Sequence, residues 1–336
     1  MDLKTKYLGI ELKNPIIVGA SNLVSDLDIL KRLEAAGAGA IVYKSLFEEQ
    51  IQLENLERFQ IDEEYGDRHA EMASYLPQMQ DAGPEAFLHK LRKAKEAVSI
   101  PLIASLNCVY EESWVEYAQK IEQTGVDALE LNFYSTPHEF DIMGKAIVQE
   151  QFDTLHSVLK TIKIPISIKL SPYYTNSLYV INEMDKLGVN GFVLFNRLFQ
   201  PDIDIEKEAH HFPYNLSSEN DNRLALRYAG LLYNNIKANV CSATGILSGA
   251  DVIKMILAGA DVVQVVSAIY QKGPKAITNM LGELEEWINK KGYHSLDEFR
   301  GKLSKKGLGD KFTYKRAQYV DILMKSDKIF DRFPIA

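Results

Sequence analysis

A (β/α)8 TIM barrel, an α/β fold with an N-terminal hairpin and a C-terminal extension, is the architecture this sequence predicts, on three observations. First, the stretches 36–44, 124–132, 187–196 and 258–267 repeat one pattern. In each, a helix stops at a glycine able to take positive φ (Gly37, Gly125, Gly188, Gly259), and a short turn leads into a mostly apolar strand. Second, like segments recur until eight strands alternate with helices, which means stacked βα units and a parallel sheet. Third, the chain of 336 residues, 46% apolar, is long enough for such a barrel and its core, which needs roughly 250 residues. No Gly-x-Gly-x-x-Gly follows the first strand, so a doubly wound dinucleotide fold lacks its usual fingerprint.

The elements follow in order. Residues 7–20 read as a small hairpin with Gly9 at its turn, passing through Asn14-Pro15 into a first strand over 16–20. Helical spacing covers 26–36, and the second strand is 40–43. Residues 46–83 are charged and aromatic with no clean strand, and read as an elaborated, partly helical loop over the active face. Then come a helix over 84–98, the third strand at 101–107, a helix over 112–124 and the fourth strand at 128–133. A helix over 144–162, the fifth strand at 165–170, a helix near 176–187 and the sixth strand at 192–196 continue the alternation. Residues 197–218 form a second long excursion. A helix over 220–237, the seventh strand at 239–244, a helix over 248–258, the eighth strand at 262–266 and a closing helix over 274–290 complete the barrel. We expect one barrel unit over 1–310, with 311–336 as an extension packed on or near it.

Composition narrows the function. A net charge of −8 argues against a nucleic-acid partner, which calls for a basic face. The N-terminus lacks an apolar signal segment, and no run approaches the about 18 apolar residues of a membrane span; the expectation is a cytoplasmic protein without membrane association. Two cysteines, Cys108 and Cys241, give neither a disulfide framework nor metal-ligand spacing and read as buried, inert thiols. The seven histidines show no metal-binding pattern, so no metal is expected.

In such barrels the carboxyl ends of the strands form the active face. Lys44, Asn132, Asn196 and Ser267 end the four repeats, and Ser105, Asn107 and Lys169 join them from strands three and five. Both lysines follow apolar strand residues into the barrel mouth, where a charge calls for an anionic partner. The turn containing Thr244 and Gly245 leads to a helix that Ser248 can cap, and Ser267-Ala268 ends the eighth strand. Loops after strands seven and eight commonly bind phosphate through backbone N–H groups. A phosphate cradle, two lysines and a ring of amides suit FMN, with the amides on the pyrimidine edge and a lysine stabilising the reduced flavin.

These residues resemble the dihydroorotate dehydrogenase family. The matching pieces run in family order over about residues 5–305: Asn14-Pro15 through Ala20-Ser21, Tyr43-Lys44-Ser45, Glu130-Leu131-Asn132, Ile168-Lys169-Leu170-Ser171-Pro172, Phe195-Asn196, Leu216-Ser217-Ser218, Ala243-Thr244-Gly245-Ile246 and Leu296-Asp297-Glu298-Phe299-Arg300-Gly301. The resemblance implies an FMN-bearing barrel. Ala20, Ser21, Lys44, Ser45, Asn132, Lys169 and Asn196 would line flavin or substrate, and Thr244, Gly245, Ser267 and Ala268 would hold the phosphate. It also implies a homodimer, and the soluble members are the closer match.

The sequence departs from the family in three places. The family's Asn-Leu-Ser-Cys-Pro-Asn loop, whose cysteine is the base in soluble members, reads Asn132-Phe133-Tyr134-Ser135-Thr136-Pro137. Ser135 and Thr136 are therefore the candidate bases. The family's Asn-rich substrate loop is not recognisable within 46–83, and one glycine of the phosphate-binding pair is Thr244. The leading expectation is an FMN-dependent oxidoreductase that oxidises dihydroorotate to orotate. In that reading Ser135 or Thr136 takes the proton, hydride passes to flavin N5, Lys44 orients the substrate or flavin, and Lys169 stabilises reduced flavin. The alternatives are a flavoenzyme for another dihydropyrimidine or an enone, a Schiff-base aldolase using Lys169 or Lys44, and a flavin-binding protein without catalysis. The electron acceptor is not legible, and two cysteines cannot hold an iron–sulfur centre.

Overall fold

The computed structural model describes residues 2–50, 52, 84–133, 135, 140–197, 202–211, 216–308, 314, 320, 323 and 324. Eight strands close into a parallel barrel: β3 (Ile16–Val18), β4 (Ala40–Phe47), β5 (Leu102–Asn107), β6 (Ala128–Phe133), β7 (Ile166–Leu170), β8 (Gly191–Leu194), β11 (Asn239–Ser242) and β12 (Val262–Val265), the last pairing back with β3. Ahead of them an antiparallel hairpin of β1 (Thr5–Tyr7) and β2 (Ile10–Leu12) sits at the start of the chain. The predicted fold class is therefore the observed one.

The glycines of the four repeats all take positive φ, from 82° at Gly125 to 127° at Gly259. The polar residue two positions later explains the rest of the motif. Asp127 accepts a hydrogen bond from Leu102 N (2.7 Å), Asn190 from Ile166 N (2.9 Å) and Asp261 from Val240 N (2.7 Å). Each side chain thus satisfies an N–H within the first two residues of the preceding strand, at the barrel's amino end. The first repeat has Gly39 at that place, where a Cβ would lie 2.5 Å from Asn14 O. There Asn14 takes over, accepting from Ile16 N (3.0 Å) and donating to Gly37 O (2.7 Å).

Strand alternation sends one set of side chains into the barrel and the other under the helices. The lower interior is apolar: Ile17, Ala40, Val42, Ile103, Ala128, Val193, Cys241 and Val262 pack with Tyr7, Leu8 and Leu12 of the hairpin, which plugs the floor. The larger core lies between strands and helices. Arg300 ties this floor to the C-terminal part, donating to Ala260 O (3.1 Å) and Thr5 Oγ1 (3.0 Å) beside Asp261. Further on, Tyr314 rests on Gly230, where a Cβ would lie 2.0 Å from the phenol oxygen, and donates to Leu303 O (2.8 Å).

Several boundaries differ from the sequence reading. β4 continues to Phe47, because a register irregularity between Val42 and Ser45 carries the strand past the polar Lys44-Ser45 pair. The 197–218 excursion contains an antiparallel pair, β9 (Asp202–Asp204) and β10 (Ala209–His211). The helix expected over 220–237 is Arg223–Leu232; it stops at Tyr233, and Asn234 takes φ 57°, a left-handed exit that asparagine tolerates. A short helix, Ser267–Lys272, precedes Lys275–Lys291. Most of the expected 46–83 loop lies outside the described residues.

Candidate active site

Above the apolar floor the barrel interior turns polar. Ser45 of β4 and Ser105 of β5 are in register, and their hydroxyls meet at 2.7 Å. The Asn132 amide nitrogen donates to both (3.3 and 3.2 Å). The two serines thereby fix one end of the Asn132 amide, and its Oδ1 is buried with no partner among the described residues. Asn107 Nδ2 and Ser21 Oγ are likewise buried and unpartnered. Buried polar atoms left in this state cost about 1–3 kcal/mol each, so three of them around one mouth mark a place for a polar ligand.

Lys169 of β7 is in register with Asn132 of β6. Its ammonium donates to Gln264 Oε1 across the barrel (3.2 Å) and lies 3.6 Å from Glu130 Oε1, while Gln264 Nε2 donates to Glu130 Oε2. The three side chains form a closed ring. The Glu130 side chain is 1% exposed and that of Lys169 11%. Gly19 makes room for the ring, since a Cβ there would lie 3.2 Å from Gln264 Oε1 and 2.8 Å from a Val266 methyl. Sequence reasoning missed Glu130 and Gln264 as functional positions. The available signal was alternation: Ala128, Glu130 and Asn132 share one face of an otherwise apolar strand.

Lys44 is half-buried at the same mouth and has no hydrogen-bond or ion-pair partner among the described residues. Ala20 is half-buried against the interior cluster. Asn196 is also half-buried, its N–H bonded to Leu170 O (2.7 Å).

On the β11–β12 side, Thr244 and Gly245 both take positive φ (72° and 73°). The Thr244 hydroxyl donates to Phe195 O (3.0 Å), which anchors a conformation that costs a non-glycine residue about 1–2 kcal/mol. Gly245 tolerates no side chain, because a Cβ would lie 2.6 Å from Asn222 N. Asn222 donates to Gly245 O and to the buried Asp251 (3.1 Å each), and Asp251 also receives Ser248 Oγ (2.8 Å) and Lys254 Nζ (3.0 Å). Burial opposes charge on Asp251, but the hydrogen bonds from Lys254, Ser248 and the Leu247 N–H outweigh it and hold the carboxyl below its ordinary value of 3.8. Ser267 and Ala268 open the helix Ser267–Lys272, so their N–H groups have no intrahelical acceptor. The Ser267 hydroxyl accepts from Ser217 N (3.0 Å) and Ser217 Oγ (2.8 Å), seating the 216–218 stretch on the helix start.

Of the two candidate bases, Ser135 is exposed just beyond β6, and Thr136 lies outside the described residues. Both cysteines are buried away from such chemistry. Burial pushes both thiols up, with the charge of Glu48 adding to it at Cys108 and that of Glu130 at Cys241. Among the described residues there is no cluster of three His, Cys, Asp or Glu side chains fit for a metal, and no helix long and apolar enough to cross a membrane.

The mouth of this closed parallel barrel thus combines two lysines, amide and hydroxyl groups without partners among the described residues, and a turn with positive φ at Thr244 and Gly245. Comparison with known proteins makes this specific. Residues 2–288 match the family model for dihydroorotate dehydrogenase. The chain is 28% identical over 309 residues to a protein of Methanocaldococcus jannaschii named dihydroorotate dehydrogenase B (NAD(+)), catalytic subunit, covering 89% of this chain and 97% of that one. Equally named proteins of Methanothermobacter thermautotrophicus and Thermoplasma volcanium are 28% and 27% identical, with 89% of this chain covered in each and 97% and 98% of theirs. The chain belongs to the dihydroorotate dehydrogenase family, and with that to the flavoprotein oxidoreductases.

Proposed function

We propose that this protein binds FMN at the carboxyl face of the barrel and oxidises the CH–CH bond of dihydroorotate. The observation that carries the reading is the buried Asn132 Oδ1, in register with Lys169, together with the buried Asn107 Nδ2, both without partners among the described residues. An acceptor, a donor and a cation suit the alternating polar edge of a pyrimidine-type ring. The turn at Thr244-Gly245 and the helix start at Ser267-Ala268 are where the phosphate would be held. FMN, when bound, supplies the acceptor for the hydride that the substrate gives up.

The chain's own groups do the remainder. Lys44, half-buried and unpaired among the described residues, orients the substrate carboxylate. Ser135 takes the proton from the carbon next to the carbonyl, its hydroxyl needing a water or neighbour to relay it onward. Lys169 and Asn132 fix the ring so that the donor carbon meets its acceptor, which accounts for much of the rate. Lys169 sits between a carboxylate and an amide oxygen. That setting suits an ammonium ion, whereas a Schiff-base aldolase needs a neutral amine.

The relatives' names as catalytic subunits of an NAD(+) enzyme support NAD+ as the final acceptor, reached through a second protein subunit. A homodimer of catalytic chains is part of the same reading. So is the division into an FMN-binding unit over 1–310 and an extension over 311–336, for which the seating of Tyr314 on Gly230 is the supporting contact.

The test is the visible spectrum of the purified protein, then anaerobic addition of dihydroorotate. A yellow protein that bleaches supports the proposal. A yellow protein that stays yellow overturns dihydroorotate as the donor, and a colourless protein unable to take up FMN overturns the cofactor.

A further inference from the structure

Glu130 is a fully buried carboxylate for which the reaction above has no use. It faces the barrel interior; among the described residues its Oε1 atom accepts no hydrogen bond and its ion-pair partner is Lys169 at 3.6 Å. Gln264 holds the geometry from the opposite wall, donating to Glu130 Oε2 and accepting from Lys169. The ring spans three strands and is closed on itself. A buried charge is expensive to keep. An amide in place of Glu130 could accept from Gln264 but would turn its NH2 toward the Lys169 ammonium, so a carboxylate is the group that faces both, and its charge bears directly on Lys169.

We infer that Glu130 is a positioning residue that sets how much of the Lys169 charge reaches the flavin, and so lowers the reduction potential of the bound cofactor. The inference rests on the FMN reading of the site. Two-electron reduction of the flavin ring with uptake of one proton leaves one negative charge on the ring. An unpaired Lys169 would favour that form strongly. With a carboxylate 3.6 Å from its ammonium group, much of the field of Lys169 is cancelled before it reaches the mouth. The flavin is then held in a state that passes electrons on rather than storing them.

The experiment compares dissociation constants for oxidised and dithionite-reduced FMN in the wild-type chain, Glu130→Gln, Glu130→Asp, Lys169→Gln and the Lys169→Gln/Glu130→Gln double variant. In Glu130→Gln the ratio of oxidised to reduced constants should rise at least tenfold, about +30 mV for a two-electron couple. Glu130→Asp, which keeps the charge but withdraws it by one methylene, should move the ratio the same way by about threefold; it also serves as the test if the glutamine variant does not fold. Because the fields of the two groups add, Glu130→Gln should raise the ratio in the Lys169→Gln background as well. A purely structural Glu130 would weaken both constants alike and leave the ratio unchanged. That result, or a fall in the ratio, would overturn the inference. Failure of the wild-type chain to bind FMN is a separate outcome, seen before any variant is compared, and overturns the cofactor reading on which the inference rests.

Discussion

Replacing Lys169 by Met in the flavin-free protein should destabilise the fold far more than replacing Lys169 and Glu130 together. At 3.6 Å and an effective dielectric constant of about 20, the attraction between the two charges is about 5 kcal/mol. Solvent screening takes little from it, since the side chains are 11% and 1% exposed. Removing the ammonium group leaves Glu130 as an uncompensated carboxylate in the barrel, a change that typically costs 3–5 kcal/mol. With an unfolding entropy of about 2.1 cal/mol/K per residue, the whole chain changes stability by about 0.7 kcal/mol per degree. The single variant should therefore melt about 4–7 °C lower. Lys169→Met/Glu130→Gln removes both charges and should lie within about 1 kcal/mol of wild type, because neutral replacement of a buried pair is often harmless. The assay is a double-mutant cycle by urea unfolding with the m-value held constant. A Lys169→Met variant within about 1 kcal/mol of wild type, or a double variant as unstable as the single, would refute the argument that these charges depend on each other.

Three further outcomes follow from the site. Gly245→Ala should lose FMN retention and about 2–4 kcal/mol of stability, combining left-handed strain with a Cβ 2.6 Å from Asn222 N; unchanged flavin content after dialysis would count against the turn as the phosphate holder. Lys44→Ala should raise the Kd for dihydroorotate about 10–100-fold, the worth of one charge-assisted hydrogen bond, while the melting temperature stays within a degree or two of wild type, since no partner among the described residues is lost; anaerobic titration and a thermal melt read the two effects. Asp251 has a folded pKa below its ordinary 3.8, so its contribution is present above that ordinary value and is lost as pH falls through the folded one; Asp251→Asn should therefore be less stable than wild type at pH 7, with the gap narrowing as pH falls below 3.8, read from urea midpoints across that range.

The frame was legible because its signals are local and repeated. A glycine closing each helix is visible at every repeat and a polar residue two positions on at three of them, where Asp127, Asn190 and Asp261 then do the same work in the structure. The strand ends were legible for the same reason, since Lys44, Asn132 and Lys169 each follow an apolar run. The ring beneath them was not, because its members lie 39 and 95 positions from Lys169 and meet only when the barrel closes. Glu130 looked like one letter of a family motif, although its place between Ala128 and Asn132 already put it on the interior face. The strand pair at 202–211 was missed because its residues are polar on both faces and its turn lacks glycine, so neither alternation nor turn chemistry announces it.

The arrangement divides labour along the barrel axis, and the division bears on where the chain's departures from its family can be tolerated. Lys169, Asn132, Glu130 and Gln264 stand on strands, each tied to a neighbour by a hydrogen bond within the barrel. Their positions are set by register, and a shift of one would disturb two others. Ser135 stands beyond the end of β6, exposed, with no such tie among the described residues. Lys44 occupies the irregular part of β4, where the strand gains a residue relative to β5. On the proposed reading, the residues that would hold the flavin are therefore over-determined, and those that would meet the substrate are less so. The loss of the family's cysteine, whose place falls to Ser135 or Thr136, belongs to the second group; it would change the proton-transfer step and leave the proposed flavin seat intact. Substitutions at Ser135 should accordingly move the rate of flavin bleaching by a given donor without moving FMN affinity, whereas substitutions in the ring should move both.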